Sequence, residues 1–324
     1  MRKILAGDIG GTKTVLALYQ VTDEGLEVWR QQTFVSAQYA DFTGLLDSFL
    51  AGETAIHCAV FGIAGPIQNQ RCLTTNLPWV IDAAEIGERL HLKVHLLNDL
   101  EAAAYGVLQL NTFVELNPKA VDKPGHKAVI AAGTGLGEAI LFFDGQHYHA
   151  MPSEGGHCEF APQNAQEDQL LLFLRKRFNG HVSLERILSG DGFGNLYDFL
   201  KSSDFAPVNS QREAAMQQGD RNALISQAGI HAEDALCVEA VRLFCRIYGV
   251  EAGSLALKTL PVGGVYIAGG IAPKIRKALE GGAFLQGFLD KGRMRHAIEH
   301  IPLRLVENPE APLLGAAYYA QRLL

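Results

Sequence analysis

Two strand-like runs joined by a glycine-rich turn occur once in each half of this chain. That repeat of plan constrains the fold more than any other feature. In the first half, residues 3–6 are short and apolar, Gly7-Asp8-Ile9-Gly10-Gly11-Thr12 reads as a turn, and residues 14–19 are rich in strand formers. In the second half, residues 127–132 break at Gly133-Thr134-Gly135-Leu136-Gly137 and the strand pattern resumes at 138–143. Each half later gives a further strand followed by a helix that opens on polar or small residues: 92–97 before a helix from Asp99, and 263–268 before Gly269-Gly270. A dinucleotide or P-loop fingerprint sets its glycines between a strand and a helix, so the placement here is different. A strand–turn–strand can still bind phosphate through exposed backbone N–H groups. Either turn alone also reads as a plain hairpin. Two of them facing each other across a cleft would grip a polyphosphate from both sides.

The remaining pattern fills in an α/β protein. Residues 26–34 follow the Asp23-Glu24-Gly25 turn as a strand, a helix is expected over 39–50, and 56–63 reads as a buried strand. Asp82 is placed to cap a helix running to Leu90, with Glu85 completing a variant capping box. Residues 167–257 are mostly helical, interrupted by a polar loop over 202–210, and a short strand (302–306) and a helix (312–324) close the chain. A length of 324 residues suits two lobes, with the boundary expected over 109–118.

Composition narrows the function classes. Apolar residues at 48 % and charged residues at 19 % are ordinary for a soluble globular protein. The net charge is −7 and the longest basic cluster, Arg175-Lys176-Arg177, reads as a solvated helix face, so no nucleic-acid partner is expected. Cys58, Cys72, Cys158, Cys237 and Cys245 are odd in number and form no CxxC pair, which fits reduced thiols in the cytoplasm, with Cys237 and Cys245 as core residues. Asp8 interrupts the first apolar run, and no run approaches the roughly 18 residues that span a membrane. The expected location is therefore cytoplasmic.

Several polar residues stand where chemistry could use them. Asp8 could hold a hydrated Mg²⁺, which takes one or two carboxylates and otherwise water and phosphate oxygens. Asn98-Asp99, after a strand and at a helix start, reads either as an N-cap or as a general base on a hydroxyl. Glu154-Gly155-Gly156-His157 forms a tight loop presenting a carboxylate and an imidazole, and Glu185 is a third candidate, although an acid at a helix surface is the plainer reading. Carboxylates and amides match sugar hydroxyls, each of which donates and accepts. Gly269-Gly270 would let backbone approach a flat ligand such as adenine or ribose, or simply make a tight turn. Lys13 could touch phosphate or water alike. His147 and His149 share a strand face but lack a third ligand at a metal-binding spacing.

Taken together, these motifs resemble the bacterial glucokinases, within the superfamily of hexokinase, actin and the heat-shock chaperone ATPases. The matching pieces are Gly7-Asp8-Ile9-Gly10-Gly11-Thr12, Leu97-Asn98-Asp99, Gly133-Thr134-Gly135-Leu136-Gly137, Pro152-Ser153-Glu154-Gly155-Gly156-His157, the run from Gly180 to Gly190, Ile267-Ala268-Gly269-Gly270 and Leu313-Leu314-Gly315-Ala316. The resemblance implies a two-lobed actin-like ATPase fold with ribonuclease H-like lobes and a sugar and ATP cleft. Residues 1–109 with the final helix (309–324) would form the small lobe and 110–308 the large one. It implies ATP-dependent phosphorylation of glucose at the 6-hydroxyl, the first step of glycolysis. Asp99 would be the catalytic base. Asn98, Glu154, His157 and Glu185 would hold sugar hydroxyls. Gly7, Asp8, Ile9, Gly10, Gly11, Thr12, Gly133, Thr134 and Gly135 would serve the ATP phosphates, Gly269 and Gly270 the nucleoside, and Asp8 would lie near Mg²⁺ through water. A homodimer is implied as well. The sequence departs from the group at Thr12-Lys13-Thr14, where Lys-Thr is typical of the related ROK kinases. The CxCGxxGC zinc motif of ROK proteins is missing, so zinc is not expected. A kinase for another hexose or an N-acetylated amino sugar is the alternative enzyme. A sugar-sensing repressor is the alternative of another class; superfamily repressors carry an N-terminal helix-turn-helix, whereas this chain opens on its first strand.

Overall fold

In the computed structural model, which describes residues 2–53, 55–74 and 77–324, the first apolar run forms a strand, Arg2–Ile9, longer than its sequence pattern suggests. Gly7, Asp8 and Ile9 belong to this strand, and the turn itself is confined to Gly10–Thr12. The cause is pairing on both sides: Gly7, Asp8 and Ile9 face Leu16, Val15 and Thr14 in the antiparallel neighbour and Phe61, Gly62 and Ile63 in the parallel one. Backbone groups already bonded on two flanks stay extended.

The chain divides into two units. The first comprises Met1–Thr112, Tyr148–Pro152 and Asn308–Leu324. Its sheet runs in the order Gly25–Val35, Lys13–Thr22, Arg2–Ile9, Ile56–Ile63, Lys93–Asn98. The first three strands are antiparallel and the last three parallel. Leu5, Leu16, Leu18, Phe42, Phe49, Phe61 and Trp79 pack together in its core. The helix expected over 39–50 begins later, at Phe42, because Asp41 caps it by accepting from Gly44 N at 2.8 Å, and Ser36–Gln38 forms a separate short turn of 3₁₀ helix. Asp82 caps Ala83–Leu90 as its position suggests, accepting from Ala84 N at 2.9 Å.

Two helices of this unit, Asp99–Val107 and Ala311–Gln321, meet through small residues. A β-carbon at Gly106 would overlap the Ala311 carbonyl, and one at Gly315 would overlap the Ala102 carbonyl. Backbone therefore touches backbone, which fixes the helix that carries Asp99 at its first turn.

The second unit comprises Phe113–His147 and Ser153–Glu307. Within it, strands run in the order Leu136–Phe143, Lys127–Ala132, Val265–Ala268, Leu303–Leu305, Val114–Glu115. An antiparallel hairpin again leads into parallel neighbours, so the repeat of plan read from the glycine turns is present in the structure. The helical stretch resolves into Ala165–Arg177, Gly190–Ser202, Ser210–Gln218, Arg221–Ile230 and Ala235–Thr259. The last of these is capped by Asp234, buries Cys237 and Cys245, and bonds the sheet through Tyr248 Oη, which donates to the Ile130 carbonyl at 3.1 Å. Arg175, Lys176 and Arg177 are exposed on their helix, a solvated face as expected.

The small-residue helix contact yields a first prediction. Gly315→Ala gains roughly 0.5–1 kcal/mol of helix preference, but the helices must separate to admit the methyl, and overpacking of that kind costs about 1–3 kcal/mol. Chemical denaturation should show net destabilisation, and Gly106→Ala the same sign. A neutral or stabilising Gly315→Ala would show that the helix contact is looser than described.

Candidate active site

In the first unit, the parallel strands end together. Ile9, Ile63 and Asn98 are register partners at the carboxyl edge of the sheet, and the chain leaves that edge through Gly10–Thr12 on one strand and Asp99 on another. Ligands of open α/β sheets gather at such edges. The Gly10 turn is closed by Gly10 N donating to the Lys13 carbonyl at 3.0 Å, and braced by Ser36, whose hydroxyl donates to the Gly10 carbonyl at 2.8 Å. Gly7 is buried between Leu16 and Phe61, and the Ile9 side chain lies in the core. Both therefore shape the strand beneath the turn and leave Gly10, Gly11 and Thr12 as its outward face. Burial pushes the Asp8 carboxyl above its ordinary pKa, and the charge of Lys13 opposes the shift. Lys13 thus touches the candidate residues through its carbonyl at Gly10 and through its charge at Asp8.

The helix start at Asn98-Asp99 divides its work. Asn98 is the cap: its Oδ1 accepts from Leu100 N at 2.9 Å, and Glu101 Oε2 returns the favour by accepting from Asn98 N at 3.0 Å. Asn98 Nδ2 also donates to the Gly65 carbonyl at 3.3 Å. Asp99, the next residue, is half-buried and has one oxygen 2.9 Å from Leu100 N. The capping role that the plain reading gave to the acid thus falls to Asn98, which the capping box with Glu101 selects.

In the second unit, two turns carrying three candidate residues are fastened to the start of the strand Leu136–Phe143. Glu185, in the short 3₁₀ turn Leu184–Arg186, accepts from Leu136 N at 3.0 Å and lies directly against Gly135. The 3₁₀ turn Gly155–His157 lies flush on the same strand: a β-carbon at Gly156 would overlap the Leu136 carbonyl, and one at Gly155 would overlap the carboxyl of Glu138. The two turns are joined by Leu184 N to the Cys158 carbonyl at 2.9 Å and Phe160 N to the Val182 carbonyl at 3.0 Å. Glu154 and His157 project from this platform with exposed side chains, 3.9 Å apart. The structure therefore brings Glu154, His157 and Glu185 onto one support.

The glycine loop of this unit is also tied down. Gly133 N donates to the Gly135 carbonyl at 2.8 Å, and Gly190 N, at the start of the helix Gly190–Ser202, donates to the Gly133 carbonyl at 2.9 Å. Gly269 packs on the Ala132 carbonyl, and Ile271 N donates to it at 3.2 Å, so the Gly269-Gly270 turn adjoins the Gly133 loop. Past Thr134 lies a cavity of ≈ 580 Å³ lined by Gly190, Asp191, Phe193, Asn222, Ser226, Ile271, Lys274 and Ile275, among others. Its apolar walls with a few polar groups suit a flat heterocycle joined to a polar sugar. A second hollow beside it, of ≈ 390 Å³, is lined by Thr134, Glu185, Ser189, Arg186 and Arg221, among others. Sequence reasoning missed this cavity wall. Ser189-Gly190 ends the Gly180–Gly190 motif and could have been noticed as a helix start. Asn222 and Ser226 sit in an ordinary helical pattern and carry no signal of their own.

The glucokinase family model matches residues 5–323. The chain belongs to the glucokinase family. It is 40 % identical to the glucokinase of Nostoc punctiforme over 100 % of both chains, and 36 % identical to that of Photorhabdus laumondii over 99 % of this chain and 97 % of the relative. Among solved structures, glucokinase from an Antarctic psychrotroph superposes with a TM-score of 0.86 at 29 % identity, covering 99 % of each chain. Glucokinase from Balamuthia mandrillaris, solved with glucose, gives 0.79 at 25 % identity over 99 % of this chain and 94 % of that one. A ROK glucokinase from Streptomyces griseus shares the fold at 19 % identity with a TM-score of 0.65 over 99 % of each chain. The chain is thus a glucokinase-family enzyme with the two-lobed actin-like fold.

Membership gives the glycine platform a testable consequence. In Gly156→Ala the new methyl meets a strand carbonyl, which cannot swing aside as a side-chain end can. The loop must lift, carrying Glu154 and His157 with it. On the expectation that Glu154 and His157 hold sugar hydroxyls, steady-state kinetics should show KM for the sugar raised about tenfold or more with a smaller change in KM for the nucleotide; unchanged sugar KM would count against either the displacement or that expectation.

Proposed function

We propose that this enzyme transfers the terminal phosphoryl group of Mg-ATP to the 6-hydroxyl of glucose, with Asp99 as the general base. The observation that carries the reading is the full-length match to the glucokinase family, joined to the position of Asp99 at the carboxyl edge of a parallel sheet and the first turn of the helix Asp99–Val107. The helix dipole favours the ionised carboxylate there, and Leu100 N fixes one oxygen at 2.9 Å. Phosphoryl transfer asks mainly for alignment and charge neutralisation, and a base held by backbone supplies the alignment.

Within the same reading, Asn98 in the first unit and Glu154, His157 and Glu185 in the second hold sugar hydroxyls. Asn98, Glu185 and the Glu154–His157 turn are each held by backbone hydrogen bonds of their own, so they are oriented before the ligand arrives. In the first glycine turn Gly11 and Thr12, and in the second Thr134 and Gly135, offer backbone N–H groups to phosphate, while Gly10 and Gly133 spend theirs closing the turns. Gly269, Gly270 and the cavity beyond Thr134 take the nucleoside. Asp8 supplies one carboxylate, which suits an Mg²⁺ ion that arrives with the nucleotide and keeps most of its water. Burial disfavours the Asp8 charge in isolation, and a nearby dication would restore it. The resemblance to bacterial glucokinases supports a homodimer working in the cytoplasm. No described helix is long and apolar enough to cross a membrane.

The test is a coupled assay of glucose 6-phosphate with Mg-ATP, run beside fructose, mannose and N-acetylglucosamine, with calorimetric glucose titration of each variant. Asp99→Asn should lower kcat by about 10²–10⁴-fold while glucose affinity changes only a few-fold. Near-normal turnover would remove Asp99 from the base role. Preferred turnover of another sugar would keep the mechanism and overturn the assignment of glucose.

A further inference from the structure

Beneath the Glu154–His157 turn lies a buried carboxyl that the proposed chemistry does not use. Glu138 is 2 % exposed, in the middle of the strand Leu136–Phe143. Its carboxyl is pressed against the α-carbon of Gly155, where a β-carbon could not fit. The same residue's carbonyl accepts from the Ser153 hydroxyl at 3.1 Å, and that hydroxyl in turn accepts from Gly155 N at 3.2 Å. Glu138 therefore touches the turn through its side chain and holds it through its backbone. A charged side chain has no ordinary reason to occupy such a place, since an apolar residue would fill it at far lower cost.

The surroundings explain how it is tolerated. Across from Glu138 stands Glu251 of the helix Ala235–Thr259, itself 6 % exposed. Lys258, two turns further along that helix, lies 3.4 Å from Glu251. Lys291 lies next to Glu251 and donates to the Val250 carbonyl at 2.8 Å and the Ser254 hydroxyl at 3.1 Å. Tyr248 faces Glu138 from the same helix, and Cys158 stands near Lys258 from the turn side. Two lysines thus favour the charge of Glu251, whereas Glu138 has one oxygen, Oε1, with no hydrogen-bond partner. A proton on Glu138 lets it donate to Glu251 and relieves the burial of a second charge.

We propose that Glu138 is a positioning residue for the sugar: paired with Glu251, it holds the Glu154–His157 turn at the height that glucose requires. The inference rests on the reading of Glu154 and His157 as sugar ligands. The pair sets a pH limit on that function. Burial, reinforced by the charge of Glu251 and opposed by Lys258, pushes the Glu138 carboxyl up to about 7. It is neutral below that value and ionises above it, against Glu251 and directly under Gly155. Two carboxylates at this separation repel, and the side chain that can yield is the one under the turn.

The experiment measures kcat and KM for glucose from pH 6 to 9. In the unaltered enzyme KM should stay level on the acid side and rise above about pH 7, with kcat at saturating glucose changing less. Glu138→Gln keeps the shape and the neutral state, so the alkaline rise should vanish while KM at pH 6 stays within about threefold of the unaltered enzyme. Glu251→Gln removes the charge that raises Glu138 and should move the rise to lower pH. Lys258→Met removes the opposing charge and should move it higher. An alkaline rise that survives Glu138→Gln, or fails to move in both of the other variants, would overturn the inference. Glu154→Gln serves as the separate control. If it leaves glucose KM unchanged, the sugar-ligand reading fails; if it raises KM while the Glu138 profile stays flat, only the present inference fails.

Discussion

The second unit depends on how closely one turn of backbone can approach one strand. Gly156 lies on the Leu136 carbonyl with no room for a side chain, and Leu136 N is bonded to Glu185. A single residue of the strand thus sets the positions of Glu185 through its N–H and of Glu154 and His157 through its C=O face. Hydrogen bonds hold lengths to a few tenths of an ångström, and interpenetrating backbones hold as tightly because neither side can rotate away. Recognition of a sugar by hydroxyl pattern needs that stiffness. A buried polar group left unpaired costs about 1–3 kcal/mol, so a wrong epimer is rejected only if the site cannot relax to suit it.

The first unit reaches the same end by different means. The helix that begins at Asp99 is clamped by the final helix of the chain through Gly106 and Gly315, and its first turn is closed by the Asn98 and Glu101 capping box. Translation of the helix is blocked by packing, and fraying of its start is blocked by the cap. Asp99 itself has one oxygen 2.9 Å from Leu100 N. A residue proposed as a base should be fixed in place, and this arrangement fixes the helix start that carries it.

Much of this was legible in the sequence because it rests on local rules. Strands 56–63 and 127–132 were read with their observed ends, since apolar runs bounded by turn residues leave little latitude. The Asp82 cap and the two glycine hairpins followed from residue types at fixed offsets. Some misses involve partners distant in sequence, others a local choice between neighbouring caps. Gly7 through Ile9 looked like turn because glycine is common in turns, whereas strands on both sides keep them extended. The plain reading put the cap on the acid, Asp99, whereas the capping box with Glu101 is formed by Asn98. The wall of Asn222 and Ser226 is invisible in sequence because a helix face lining a cavity has the same period as one facing water.

Glu138 marks the limit of that legibility in a useful way. In the sequence it stands in Gly135-Leu136-Gly137-Glu138, where an alternating strand pattern would assign it to either face without comment. Only the structure shows an acid buried against another acid, with a proton to share and a glycine turn resting on it. An apolar side chain could support the turn as well at any single pH. What the carboxyl adds is a support whose charge changes near neutrality, so the same contact that shapes the pocket also makes its shape respond to the proton concentration. The lysines beside Glu251 are then part of that device, since they favour its charge against the burial that raises its pKa.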